Sequence, residues 1–155
     1  MKRKLFSTLG LVLALISGSC SSFQQHWSVA IKDRPAKYTS IEGPWVGTWK
    51  SEPTGHSGAL RCLVGESQSN TRSEQGALTP FYYRATWQKV LSGTFRTVQP
   101  VREVRKGEFV SEGDWTLPKW AGGKYHYRIN ATPAEFRATY RGGGDHGRFE
   151  MQRPR

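Results

Sequence analysis

Two imidazoles and one carboxylate are the residues whose chemistry could hold a metal ion or move a proton: His56 and the adjacent pair Asp145-His146. Both sites fall in glycine-containing stretches, Pro53 to His56 and Gly142 to Gly147, where a tight turn alone selects Asp and Gly. Their spacing matches no metal-ligand signature, so they are weak metal candidates only, and no cofactor is expected. The chain also lacks a Gly-x-Ser-x-Gly elbow, a His-Glu-x-x-His pair, a phosphate loop and a dinucleotide fingerprint. An enzyme is therefore not expected and no catalytic residue is named. A weak metal-dependent activity at His56 and His146 is the catalytic alternative.

Two larger sets point to binding. Trp49, Tyr83, Trp87, Trp115, Tyr125, Tyr127 and Tyr140 fall on the apolar side of alternating segments, so they converge on one interior. There they either fill a core or line a cavity in which their hydroxyl and indole groups orient an apolar or planar ligand. Arg128, Arg137, Arg141 and Arg148 alternate with the inward set and form an outward basic stripe, either a solvated face or a contact for phosphate and carboxylate groups. Glu112 and Asp114 also point outward.

These sets must be positioned by strands. Seventeen Gly, eight Pro, and an aromatic set of six Trp, six Tyr and seven Phe favour short strands joined by turns. Alternation predicts strands at 45–50, 57–64, 81–91, 94–104, 109–115, 125–129, 136–140 and 149–151, with a kink or bulge at Pro100. Gly65 to Pro80 reads as one long polar connection. About eight antiparallel strands, each with one apolar face, leave unpaired edges if laid flat, and closure into a meander barrel removes them. A two-sheet sandwich is the alternative. In a barrel, turns after odd strands share an end, which brings His56 beside Asp145-His146.

The amino terminus sets the compartment. Lys2, Arg3 and Lys4 precede an apolar run, Leu5-Phe6 and Leu9 to Ile16, too short to span a bilayer permanently, and Ser17-Gly18-Ser19 supply small residues for cleavage. The predicted organisation is a signal peptide at 1–19, a tether at 20–42 and a barrel domain at 43–155. The tether is expected either free or with a short piece docking on the domain: Trp27 and Ile31 have helical spacing, but Pro35 limits any helix to a couple of turns. The 23 Lys and Arg outnumber 12 acidic residues, and without the three leading cations 20 still face 12, an excess of eight. The basic character belongs to the domain and suits acidic neighbours or plain solubility. Of the two cysteines, Cys62 lies among apolar residues as a core thiol, with a Cys20–Cys62 disulfide and a reactive thiol as the other readings.

The leader resembles a bacterial lipoprotein signal, with Ser17 where such signals usually carry leucine. The resemblance implies lipidation at Cys20, a membrane anchor, and a place in the cell envelope, on the outer membrane facing the periplasm. Gly47-Thr48-Trp49 resembles the opening of lipocalin-like and avidin-like barrels, in which such a tryptophan closes one end. The patterns Trp45-x-Gly47-x-Trp49-x-Ser51, Gly55-His56-Ser57-Gly58-x-Leu60-Arg61-Cys62, Gly122-Gly123-x-Tyr125-x-Tyr127 and Asp145-His146-Gly147-x-Phe149 are similar to a family of uncharacterised exported bacterial proteins. That likeness implies the fold and brings no activity. The expected function is an exported binding module for a small apolar ligand or an envelope component. The alternative is a structural envelope protein meeting anionic surfaces through its basic face. A monomer is expected, with no nucleic acid partner.

Overall fold

Alternation of buried and exposed positions runs through strand after strand, beginning with β1 (Gly43–Ser51), where Trp45 and Trp49 are buried while Thr48 and Lys50 face solvent. The computed structural model describes residues 22–73, 76–87, 91–116 and 123–155, and the side chains of 69–73 and 87 lie outside that description. The segment expected as a signal peptide, Cys20 and the stretch from Leu117 to Gly122 lie outside the described residues.

β2 (Ser57–Val64), β3 (Gln68–Ser73), β4 (Gly76–Trp87), β5 (Leu91–Arg105), β6 (Glu108–Thr116), β7 (Lys124–Ala131), β8 (Glu135–Gly142) and β9 (His146–Gln152) follow in order. Every ladder is antiparallel. Pairing runs β2-β1-β9-β8-β7-β6-β5-β4, and a β2–β4 ladder from Leu60↔Ala85 to Val64↔Phe81 closes the ring. The result is a closed eight-stranded antiparallel barrel. The first and last strands meet from Val46↔Gln152 to Ser51↔Gly147. Gly47 permits that approach, because a Cβ there would lie 1.9 Å from the Glu150 carbonyl oxygen.

The stretch from Gly65 to Pro80 is not one connection. It holds β3 and the first part of β4, and β3 continues the edge that β2 leaves by pairing with Gly76 to Leu78. The polar sequence of 68–73 carries no apolar alternation, and this strand is seen in its backbone pairing with β4.

Pro100 also differs from expectation. The β4–β5 ladder passes through it unbroken, from Ala77↔Val101 to Trp87↔Leu91. The β5–β6 ladder instead has only three rungs, Arg102↔Val110, Glu103↔Phe109 and Arg105↔Glu108. Pro100 has no N–H to donate, and pairing to β6 begins just past it.

A helix, α1 (residues 22–32), occupies part of the segment expected as tether. Phe23 and Trp27 are buried one turn apart on its inner face. They dock on the outside of the barrel: the Phe23 ring meets Tyr82 edge-on at 4.8 Å, and the Arg61 guanidinium lies 5.1 Å over Trp27. Gln24 accepts a hydrogen bond from Arg84 on the same outer face.

Inside the barrel, Trp45, Leu60, Cys62, Phe81, Tyr83, Ile129, Phe136 and Met151 are the middle of one continuous core. The outer positions of β6 to β9 carry the charges Glu112, Asp114, Arg128, Arg137 and Arg148, all exposed. An apolar inside with a charged outside is the reverse of a lipid-facing barrel. Among the described residues no helix is long and apolar enough to cross a membrane.

Candidate functional site

One end of the barrel is shut by a side chain that follows the last strand. Arg153 donates to the carbonyl oxygens of Ser40 (2.7 Å), Glu42 (2.9 Å), Pro44 (3.2 Å) and Pro133 (2.8 Å). Its guanidinium is layered between Tyr38 at 3.8 Å and Trp45 at 3.6 Å from the ring centroids. Burial pulls its pKa down to about 10, so it remains cationic at neutral pH. The Trp45 indole N–H donates to Ile41 O at 2.8 Å, a second tie to the same strap. Trp45 is therefore the ring that closes this end, whereas Trp49 lies farther along β1 and donates to Thr86 O at 2.9 Å.

The strap 40–42 held by Arg153 is one wall of a cleft of about 470 Å³. Its apolar lining comes from Ile41, Ala77, Val101 and Phe109, and its polar rim includes Glu42 and Arg102. Glu42 is positioned by the Ser67 N–H, which donates to its carboxylate at 3.2 Å. A few hundred cubic ångströms with an apolar floor and a few convergent polar groups is the usual form of a small-molecule site. A second concavity of about 440 Å³, over the outside of β1, β9 and β8, is lined chiefly by outward polar side chains such as Glu135, Arg137 and Glu150.

Of the seven aromatic residues expected either to fill a core or to line a cavity, the six whose side chains are described lie away from the cleft. Tyr83 stacks on Phe95 at 4.8 Å, Phe95 on Trp115 at 4.9 Å, and Phe149 bridges Tyr83 to Tyr140 at 5.9 and 5.3 Å. Tyr125 meets Tyr140 edge-on at 6.0 Å, and the Tyr127 ring lies over Gly113, whose added Cβ would be 2.8 Å from the Tyr127 hydroxyl. Ring packs on ring through the interior toward the end opposite the cleft. None of those whose side chains are described lines the cleft, and the Trp87 side chain lies outside the description.

The turns bearing His56 and Asp145-His146 do meet. Ser51 N donates to His56 O, and Glu52 N donates to His146 O. Asp145 accepts from the Ser51 hydroxyl at 2.6 Å and from the Tyr140 hydroxyl at 3.3 Å, so its carboxylate ties β1 to β8. Among the described residues no group of three or more metal-ligating side chains could hold an ion.

The basic stripe is laced with carboxylates. Arg128 pairs with Glu112 at 2.8 Å, Arg137 with Glu135 at 3.3 Å, and Arg148 with both Glu52 and Glu150. Arg141 lies in register between His126 and His146. His126 itself bridges Asp114 at 3.0 Å and Glu112 at 3.2 Å. Cys62 is free and fully buried, and burial pushes its thiol pKa well up, which suits a core residue.

Sequence reasoning missed Arg153, the strap and the cleft. Arg153 is one arginine among many, and the cleft residues are dispersed from Ile41 to Phe109. One signal was present: inward strand positions occupied by Thr79, Thr97, Gln99 and Ser111, which break the apolar alternation. No protein-family profile, curated protein or solved structure matches this chain.

Proposed function

We propose that the chain is a binding module: a lipocalin-like barrel that takes a small, mainly apolar molecule in the cleft between the strap 40–42 and strands β4, β5 and β6. The observation that carries this reading is the cleft itself, about 470 Å³ with Ile41, Ala77, Val101 and Phe109 as its apolar lining. Its wall is preorganised by Arg153, and a prebuilt wall reduces the ordering cost that ligand binding must overcome. With its leader and Cys20, the module is an exported lipoprotein held at the envelope membrane by its lipid anchor. Ligand binding is favoured over anionic-surface contact because three of the four stripe arginines are engaged by neighbouring carboxylates.

Titration with naphthalene as the probe tests the reading, followed by NMR of the Ile41, Ala77 and Val101 methyl groups. Saturable shifts confined to those methyls are expected, and Ala77→Phe, which fills the cleft, abolishes them. Shifts that never saturate, or that persist in Ala77→Phe, would refute it.

A further inference from the structure

Beneath the cleft lies a polar layer that a barrel packed only for stability does not need. Each of three cleft residues has a buried polar residue two positions along its own strand, on the same inward face: Thr79 after Ala77, Gln99 before Val101, and Ser111 after Phe109. Ala77 pairs with Val101 and Thr79 with Gln99, so these form two successive layers across the β4–β5 ladder. Thr97, one step deeper, is buried as well. Four of the five buried polar side chains among the described residues thus gather in this part of the interior.

Most of their hydrogen-bonding capacity is used. Thr79 Oγ1 donates to Ala77 O at 3.1 Å and shares a hydrogen bond with Ser67 Oγ at 2.9 Å. Gln99 Nε2 donates to Thr97 Oγ1 at 2.9 Å. The exceptions are Gln99 Oε1 and Ser111 Oγ: the residues are 4% and 3% exposed, and neither atom has a hydrogen-bond partner among the described residues, Gln99 Oε1 being the one that can only accept. A buried acceptor without a donor is costly, and native structures keep one where something else fills the role. The same layer borders the stretch where β5 and β6 leave their ladder, past Arg102↔Val110.

We propose that Gln99 Oε1 is the polar anchor of the cleft, accepting a hydrogen bond from the uncharged donor of a ligand whose apolar body lies against Ile41, Ala77, Val101 and Phe109. The ligand class is a neutral alcohol or amide with an apolar body. An ionised head is disfavoured at this depth, since among the described residues the buried layer beneath the cleft holds Thr79, Gln99 and Ser111 and no charged side chain, the charges of Glu42, Arg102 and Glu103 lying on the rim. This inference rests on the cleft being the binding site.

The test compares 2-naphthol, naphthalene and 2-naphthoate on the wild-type protein and on Gln99→Leu, with Gln99→Met as a second variant should the first fail to fold. One added hydrogen bond predicts that 2-naphthol binds roughly fivefold more tightly than naphthalene, with 2-naphthoate weaker than 2-naphthol. In either variant the ratio of 2-naphthol to naphthalene affinity, both measured on that variant, falls to about one. Equal affinity for naphthol and naphthalene, an advantage surviving both variants, or tighter binding of naphthoate overturns the anchor and leaves the cleft standing. Failure of all three probes to bind at the cleft overturns both readings.

Discussion

Arg153 and Trp45 are stacked with the guanidinium carbon 3.6 Å from the indole ring centroid, one residue just past the last strand and the other near the start of the first. The contact fastens the first and last strands of the barrel to each other and, through the Ser40 and Glu42 carbonyls, to the strap that walls the cleft. A lysine cannot reproduce it, because a single ammonium has neither the planar face nor the fork that reaches four carbonyls.

Arg153→Ala is therefore expected to lower stability by about 2–4 kcal/mol, since several charge-assisted hydrogen bonds and two ring contacts go together. Arg153→Lys should recover only a small part. Urea unfolding midpoints measure this, and a loss below about 0.5 kcal/mol, the range of ordinary surface substitutions, would show that the clamp is not structural.

The docked helix gives a second expectation. Phe23 is fully buried against the outside of the barrel, so Phe23→Ala should remove about 3 kcal/mol of docking free energy. Because α1 lies outside the closed ring, amides 22–32 should exchange with solvent much faster while the protection of β1, β2 and β4 holds. Loss of protection in those strands as well would mean that the helix is part of the barrel's cooperative unit.

What was legible in the chain follows from which forces write a periodic signal. Phe136, Ala138 and Tyr140 alternate with Arg137, Thr139 and Arg141 because one side of β8 is wet, and that pattern alone implies a strand and its facing. The meeting of the His56 and Asp145 turns followed from counting strands. β3 left no such trace, since residues 68–73 are polar throughout and its existence depends on the free edge of β4. The cleft was illegible for another reason: Ile41 and Phe109 become neighbours only through closure and through Arg153. Trp49, Tyr83 and Tyr127 are buried as alternation implies, but whether rings pack together or leave space is decided by three-dimensional fit, which alternation does not encode.

A pH dependence is expected from the outer face of β6 and β7. Hydrogen bonds, from Arg128 first for Glu112 and from Lys124 first for Asp114, hold these carboxyls below their usual 4.5 and 3.8. Their contribution is present above those values and fades as pH falls through the lowered ones. His126, bonded first to Asp114 and then to Glu112, is raised above its usual 6.5, so its contribution is present below 6.5 and fades as pH rises through the raised value. This cluster should therefore contribute most between about pH 4.5 and 6.5 and less at alkaline pH. All these groups are solvent-exposed, so the effect is small and shrinks in about 1 M salt. Melting temperature against pH for the wild type and His126→Gln measures it. The variant should lack the decline above pH 6.5, and an identical decline in both would place its origin elsewhere.

Asp145 offers the sharpest single-residue readout. Burial pushes the Tyr140 hydroxyl pKa well above its usual 10, and the charge of Asp145, which accepts its hydrogen bond, raises it further. A tyrosine raised in the folded state contributes stability that is fully present below pH 10 and is lost as pH climbs beyond it, because the unfolded chain gives up that proton first. Asp145→Asn removes the charge but not the burial, so the Tyr140 value should fall without reaching 10. The Ser51 hydroxyl, 2% exposed, exchanges a carboxylate acceptor for a weaker amide oxygen, at a cost of about 1 kcal/mol. Carbon-13 NMR titration of labelled tyrosine resolves the shift residue by residue. A Tyr140 curve unmoved by Asp145→Asn would show that burial alone sets its ionisation and that the carboxylate serves only to tie β1 to β8.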